Sequence, residues 1–237
     1  LEPEARWSNI INTPAPQLNV ALDAALKSIA TNSNQLKGCF VEGTFTTRNL
    51  GANDIKSVVD EINKISHKTF GKEKDLIGRV YEYFLKEFAV NATKEEGEFY
   101  TPHDIVQLIA TIVEPFDGTL YDPCCGSGGM FVQSLQFVQR RKALGQTQQD
   151  AHLFVYGQEK TLDTVKLAKM NLFVNGLKGE IRQANTYAED PFNGLAKFDY
   201  IMANPPFNVD DVALATVEKD QRFNAYGLPR NKTKAQK

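Results

Sequence analysis

Short apolar segments alternate with helical segments after residue 91, and this alternation limits the possible folds more than any other feature of the chain. Gly, Pro or Asp follows the apolar segments, as is typical of strands, and the segments between them have apolar residues at helical spacing. Gly176 is expected to end the second helix. Alternating strands and helices predict a parallel sheet and an α/β fold. The predicted strands cover residues 119–121, 153–156, 180–182 and 198–203, and the predicted helices cover 131–141 and 162–174.

The first 91 residues have a different pattern, in which apolar residues recur every three or four positions. This spacing predicts amphipathic helices joined by polar connectors, and we expect Asn53 to cap the second helix. The sequence therefore predicts a helical N-terminal domain over residues 1–91 and an α/β domain over 92–237. The apolar positions are Leu18, Leu22, Ala25, Leu26 and Ile29, then Ile55, Val58, Val59, Ile62 and Ile65, then Leu76, Ile77, Val80, Tyr81, Phe84, Leu85 and Phe88.

Charge and composition exclude several classes of protein. The 237 residues include 27 Lys and Arg against 29 Asp and Glu, a net charge of −2, which excludes a protein that holds nucleic acid through overall charge alone. No apolar stretch approaches the roughly 20 residues of a membrane span, and no secretory signal opens the chain, so we expect a soluble cytoplasmic protein. The scattered His67, His103 and His152 do not have the spacing of a metal site, and no metal is expected.

A glycine-rich loop with the sequence Asp-Pro-Cys-Cys-Gly-Ser-Gly-Gly-Met begins at Asp122, between a predicted strand and a predicted helix. Its glycines allow a tight turn and a close approach to a ligand, although many strand-to-helix turns share this composition. The loop lacks the Lys and Ser or Thr of a phosphate-binding loop, and Asp122 favours a cationic ligand over a pyrophosphate. Glu159 follows the next strand, where a carboxylate either accepts ribose hydroxyls or simply caps a helix.

The segment from Gly97 to Asp104 has the pattern of a helix start. Thr101 is a favourable N-cap, Pro102 suits the first helical position, and Asp104 stands where a capping box places its acid. This arrangement leaves Phe99, Tyr100 and the free amides of the helix end available to a ligand carboxylate.

Asn204-Pro-Pro-Phe207 closes the last predicted strand. Two prolines cannot continue a central strand, so the backbone must leave the sheet at its carboxyl edge, where α/β sheets bind ligands. The side-chain oxygen of Asn204 and the carbonyl of Pro205 can accept both hydrogens of a planar amine. The amine nitrogen then becomes nucleophilic enough to attack an activated methyl group, while Phe207 can stack on an extruded base. An ordinary Pro-Pro turn is the alternative.

These motifs, in this order, resemble the S-adenosylmethionine-dependent amino-methyltransferases, specifically the modification subunit of type I restriction-modification systems. The resemblance extends to the segment Gly-Arg-Val-Tyr-Glu-Tyr-Phe-Leu that begins at Gly78, and it covers nearly the whole chain. It implies a Rossmann-like methyltransferase domain that methylates adenine N6 in double-stranded DNA. It also implies a separate specificity subunit bound by two copies of this chain, and a restriction subunit. The cofactor residues it implies are Glu98, Phe99, Tyr100, Thr101, Pro102, His103, Asp122, Ser127, Gly128, Gly129 and Glu159, and the residues that receive the target base are Asn204, Pro205, Pro206 and Phe207.

The chain departs from this family in two respects. Asn185 occupies the position after the third strand where many relatives have an acid near the adenine of the cofactor, and its amide can still hydrogen-bond that ring. The second departure concerns the sheet, because only four of the expected seven strands are visible. We therefore expect a methyltransferase domain that is truncated on its C-terminal side.

Other functions remain open at this point. The same motif suits a glutamine amide in a protein or an amine in RNA, and an assembly subunit that binds the cofactor without catalysis would keep the same fold. Cys124 suggests the nucleophile of a cytosine methyltransferase, but that chemistry needs a thiolate facing the base, and Cys124 lies in the predicted cofactor loop.

Overall fold

The computed structural model describes residues 2–48, 50–64, 76–91, 101–146, 152–206, 212 and 214–223. Its helices are α1 (Trp7–Asn12), α2 (Ala15–Asn32), α3 (Ala52–Lys64), α4 (Leu76–Asn91), α5 (His103–Val113), α6 (Gly129–Ala143), α7 (Leu162–Val174) and α8 (Leu214–Val217). Its strands are β1 (Asp117–Asp122), β2 (His152–Glu159), β3 (Lys178–Gln183) and β4 (Tyr200–Ile201), and short 3-10 helices cover Pro3–Ala5 and Gln221–Phe223.

The four strands form one parallel sheet in the order β3-β2-β1-β4, which confirms the predicted α/β class. The chain adds β2 and β3 on one side of β1 and then β4 on the other side. The strand order therefore reverses between β1 and β4, and in open α/β sheets the crevice at such a reversal is where ligands bind.

The main core lies between one face of the sheet and the helices α5, α6 and α7. Leu120, Val155 and Ile181 extend from three adjacent strands into this layer and are buried against helical side chains such as Phe131 and Leu172. Aromatic rings cover part of the opposite face, where Tyr121 stacks on Phe198 with ring centroids 4.4 Å apart. The burial of these apolar side chains stabilises the packing of the sheet against α5, α6 and α7.

The N-terminal helices form a second buried cluster, which includes Ile10, Leu18, Ile55 and Val59. Two of the five apolar residues predicted for this helix do not contribute to it, because Val58 and Ile62 are 58% and 45% exposed, and Ile65 lies outside the described residues. α3 therefore buries a narrower face than its apolar spacing predicts.

Three contacts join this helical part to the sheet layer. The Tyr81 hydroxyl donates to the Leu167 carbonyl at 3.1 Å, and Gln35 donates to the Leu177 carbonyl at 2.9 Å. Gly78 lies so close to α7 that a Cβ at this position would be 2.1 Å from the Asn175 side-chain oxygen. The absence of a side chain at Gly78 thus allows α4 to pack against the end of α7.

Helix and strand ends test the local predictions. Gly176 has a φ of +69° just past Val174, as predicted for the end of α7. The Asn53 cap is wrong, because α3 already begins at Ala52. β4 is shorter than the predicted strand over 198–203, because it pairs with β1 only at Tyr200 and Ile201.

Within the described residues, no helix is both long enough and apolar enough to cross a membrane.

Candidate active site

The carboxyl ends of the strands bring together polar residues that are far apart in sequence. Asp122 ends β1 and Glu159 ends β2, and the register places Gly157 beside Asp122 and Gln183 beside Glu159. Asn204 follows β4, three residues after Ile201, which pairs with Tyr121. The predicted motifs after these strands therefore share one edge of the sheet.

Backbone contacts shape the glycine-rich loop between β1 and α6. The Cys125 amide donates to the Gln158 carbonyl at 2.9 Å, and the Gly128 amide donates back to the Cys125 carbonyl at 2.8 Å. Gly128 has a φ of +78°, a conformation that glycine adopts without strain. A Cβ at Gly129 would meet nothing within 4 Å, so there is open space beside this end of the loop.

Asp122 lies beneath this loop and is only 2% exposed. One carboxylate oxygen accepts the Cys124 backbone amide at 2.9 Å. The pKa of Asp122 is raised to about 7, mainly because burial desolvates the carboxyl group; hydrogen bonds from Cys124 oppose the rise, and the negative charge of Glu159 adds to it. The carboxyl group thus supports the loop from below and is partly protonated near neutral pH.

Glu159 is half-buried, and its Oε1 accepts the Thr161 amide at 2.8 Å where α7 begins. Thr161 is the N-cap of α7 and no side chain caps the helix there, so Glu159 stabilises the turn before the helix and the helix-capping interpretation is wrong. Its contact with a ribose stays a prediction. Asn185 makes a comparable local turn, with its side-chain oxygen accepting the Tyr187 amide at 3.1 Å.

The start of α5 differs from the predicted capping box. The helix begins at His103 with Pro102 as N-cap and without a side-chain cap, so the predicted Thr101 cap and the capping role of Asp104 are wrong. The Pro102 carbonyl accepts the amides of Ile105 and Val106, as the carbonyl of an N-cap residue does. Thr101 therefore precedes the N-cap, and its side chain lies outside the helix. Instead, the Thr101 hydroxyl accepts a hydrogen bond from Asn204 Nδ2 at 3.1 Å.

The other predicted residues at this edge have the following positions. Asn204 and Pro205 are exposed, and Pro206 is half-buried. The predicted residues Glu98, Phe99, Tyr100 and Phe207 lie outside the described residues.

Two buried polar residues that the sequence analysis missed support the predicted site. Gln133 on α6 lies 3.2 Å from His103, between its Oε1 and the ring Nδ1, which orients the imidazole. Asn171 on α7 donates to the Ser127 carbonyl at 2.9 Å and so holds the glycine-rich loop. The sequence held a signal for both residues, because each is a polar residue on the apolar face of a helix. A polar group buried on such a face needs a hydrogen-bond partner.

The chemistry of this edge does not favour a cysteine nucleophile or a metal. Burial and the nearby Asp122 raise the pKa of the half-buried Cys124 thiol well above its ordinary value, so the reactive thiolate is disfavoured. In the part of the chain that the structure describes, no group of three His, Cys, Asp or Glu side chains could hold a metal ion.

The chain is similar in sequence to several known proteins. The family model for N-6 DNA Methylase matches residues 72–236. The type I restriction enzyme MjaIX methylase subunit of Methanocaldococcus jannaschii is 34% identical over 212 residues, which are 88% of this chain and 36% of that protein. The HindI methylase subunit of Haemophilus influenzae is 39% identical over 157 residues, which are 66% of this chain and 34% of that protein. The chain thus spans about a third of the length of these relatives.

A solved structure is also similar. The methyltransferase subunit of a type I restriction-modification system from Streptococcus thermophilus superimposes with a TM-score of 0.77 at 22% identity, covering 99% of this chain and 51% of that one. This likeness confirms the Rossmann-like methyltransferase fold. Because the family model covers more than half of the sequence, the chain belongs to the N-6 DNA methylase family.

Proposed function

We propose that this chain is the catalytic part of a site-specific DNA adenine-N6 methyltransferase subunit of a type I restriction-modification system. The observation that carries the proposal is the convergence of the Asn204-Pro-Pro motif with the glycine-rich loop at the reversal of strand order. The relatives named as type I methylase subunits support the same assignment. In this proposal residues 92–237 belong to the methyltransferase domain, and 1–91 are a helical domain.

The proposed cofactor is S-adenosylmethionine, which supplies a methyl group on a positively charged sulfur. The residues present fit it, because the open space beside Gly129 admits a ligand next to the loop, and a cation there would favour the charged form of the Asp122 carboxyl. Carboxylates near a cation lower its energy. The residues proposed to hold the cofactor are Thr101, Pro102, His103, Asp122, Ser127, Gly128, Gly129, Glu159 and Asn185, with Glu98, Phe99 and Tyr100 proposed on sequence alone.

Asn204 and Pro205 would position the target amine. The side-chain oxygen of Asn204 and the carbonyl of Pro205 accept the two amine hydrogens, which discourages the nitrogen lone pair from delocalising into the adenine ring. Held in this orientation, the nitrogen would keep its lone pair available; S-adenosylmethionine would supply the methyl group, and the displaced amine proton would leave to water. Phe207 is proposed to stack on the extruded base.

Partners follow from the DNA substrate and the near-neutral charge of −2. A chain with little net positive charge needs another source of DNA affinity and sequence reading. We propose that a specificity subunit binds two copies of this chain on double-stranded DNA, that a restriction subunit joins them, and that the complex works in the cytoplasm, where it meets its DNA.

The test is transfer of a labelled methyl group to DNA by the gene product that carries this sequence, at its natural length and with its specificity subunit. Label should appear on adenine N6. Asn204→Ala should lower transfer by about 100-fold or more, as expected when a preorganised hydrogen-bonding group is lost, and should spare cofactor binding measured by calorimetry.

The matched control is Asn34→Ala, because Asn34 is an exposed asparagine in the helical part of the chain. Its transfer rate should equal that of the unmodified protein. Label on cytosine, RNA or protein, or full transfer by Asn204→Ala, would contradict the proposal.

A further inference from the structure

One hydrogen bond crosses the candidate active site between residues that are 103 positions apart in sequence. Asn204 Nδ2 donates to the Thr101 hydroxyl at 3.1 Å. Asn204 is exposed, and Thr101 is half-buried at the start of α5. The bond lies at the surface, where a neutral hydrogen bond adds little to the stability of the fold.

The two ends of an asparagine amide have opposite hydrogen-bonding character. The oxygen only accepts, whereas the NH2 group only donates. A target amine that donates hydrogen bonds through both hydrogens needs an acceptor, which is the amide oxygen of the asparagine. If the amide were turned by 180°, its NH2 group would face the hydrogens of the amine. The orientation of the Asn204 amide therefore decides whether it can hold the target amine.

We propose that Thr101 is a positioning residue that holds the side chain of Asn204 at the start of α5. In the observed bond the Thr101 hydroxyl accepts from Nδ2, so the NH2 end of Asn204 lies towards α5 and Oδ1 is left for the substrate. This inference rests on the proposed function, and it assigns Thr101 a role towards the target base in addition to its proposed contact with the cofactor.

The backbone on both sides of this bond is restricted. Thr101 precedes Pro102, which confines it to extended conformations, and α5 is anchored by the fully buried Val106 and Ala110. Asn204 is likewise followed by Pro205 and its neighbouring proline. The hydroxyl and the amide are thus presented from rigid segments, as preorganisation of a catalytic group requires.

Helix capping does not account for the Thr101 hydroxyl. Pro102 is the N-cap of α5, and no side chain caps the helix there. The Thr101 hydroxyl therefore does not cap the helix. Its observed hydrogen bond is the one with Asn204.

The first experiment needs no catalytic activity. In 15N NMR spectra of the chain, the side-chain amide signals of Asn204, assigned by their loss in Asn204→Ala, should shift in Thr101→Val and remain in place in Thr101→Ser. The control is Thr111→Val, since Thr111 lies on the same helix and its hydroxyl donates to the Gln107 carbonyl within α5. Unchanged Asn204 side-chain signals in Thr101→Val would overturn the inference.

The second experiment separates positioning from cofactor binding. At saturating S-adenosylmethionine and DNA, Thr101→Val should lower kcat by about three- to tenfold, the range expected for one neutral hydrogen bond. Thr101→Ser should restore kcat, Thr111→Val should leave it unchanged, and Thr101→Val should have no further effect on kcat in an Asn204→Ala background.

Two results of the second experiment would contradict the inference: an unchanged kcat in Thr101→Val, or an equal loss in the Asn204→Ala background. If the unmodified protein transfers no methyl group to adenine, the proposed function fails. The NMR experiment still decides whether Thr101 holds the Asn204 side chain in that case.

Discussion

Two aspartates that lie at opposite ends of β1, Asp199 of the segment before β4 and Asp122 of β1 itself, have opposite electrostatic environments. At the amino end, Asp199 accepts the Thr119 amide at 2.8 Å and the Thr119 hydroxyl at 2.7 Å, and these hydrogen bonds lower the pKa of Asp199. At the carboxyl end, Asp122 is buried, and desolvation raises its pKa to about 7. One carboxylate thus favours its charged form, and the other resists it.

This difference separates the part of the sheet that serves stability from the part proposed to bind ligands. Asp199 closes the loop before β4 onto β1 and satisfies backbone groups. The desolvated Asp122 and the exposed Asn204 lie at the carboxyl edge of the sheet. A positively charged ligand bound there would stabilise the charged form of Asp122. The predictions below test this contrast, starting with the largest effect.

Asp122→Asn should stabilise the ligand-free chain increasingly as pH rises. In the unfolded state the carboxyl ionises at its ordinary pKa of 3.8, whereas in the folded state it ionises at about 7, so the wild type loses stability between these pH values. The substituted side chain cannot ionise and still offers an oxygen to the Cys124 amide. The free energy of unfolding from urea titrations should favour the variant by at most about 4 kcal/mol at pH 8, and by less at pH 5.

Asp199→Asn is the matched comparison and should have the opposite sign. Because the pKa of Asp199 is lowered in the folded state, its charge stabilises the protein above the ordinary pKa, and this stability is lost as pH falls through the lowered value. The variant should be less stable than wild type from pH 5 to pH 8. An Asp122→Asn advantage that does not change with pH would contradict the assignment of a raised pKa.

Gly118→Ala should destabilise the amino end of β1. Gly118 has a φ of +109°, and a Cβ there would lie 2.6 Å from Asp199 Oδ2. We expect a loss of about 1–3 kcal/mol, read from the thermal midpoint, because both the backbone strain and the Asp199 contact oppose the substitution. Gly145→Ala is the control, since Gly145 also has a positive φ but no atom within 4 Å of the added Cβ; an equal loss there would exclude the Asp199 contact as a cause.

Gly129→Ala should weaken binding without lowering stability. An added Cβ meets no atom within 4 Å, and alanine in place of glycine in a helix stabilises it by up to about 1 kcal/mol. The methyl group occupies the open space beside the loop, so S-adenosylmethionine should bind several-fold more weakly in calorimetry. Unchanged affinity would show that the ligand does not use this space.

Local sequence patterns predicted much of the fold. The strand and helix alternation identified all four strands of the described sheet, and Gly176 marked the end of α7, because these features depend on neighbours in sequence. The shortness of β4 follows from pairing with β1 over two residues only, which no local pattern encodes.

The site was predicted less completely for a physical reason. Thr101 has the sequence context of a helix cap, yet its observed partner is Asn204, 103 residues away. Asp122 stands at a strand end, where an acid is ordinarily exposed, and only the folded loop buries it. Long-range contacts and burial decide these roles, and neither is determined by local spacing.

Hydrogen exchange with and without S-adenosylmethionine tests most directly whether the carboxyl edge is the binding site. Mass spectrometry of the chain should show slower exchange on adding the cofactor in peptides that contain residues 101–106, 122–129 and 159–161. Peptides that report residues 117–119 and 199, at the amino end of β1, should exchange as before. Slowing at the amino end, or at neither end, would contradict the account.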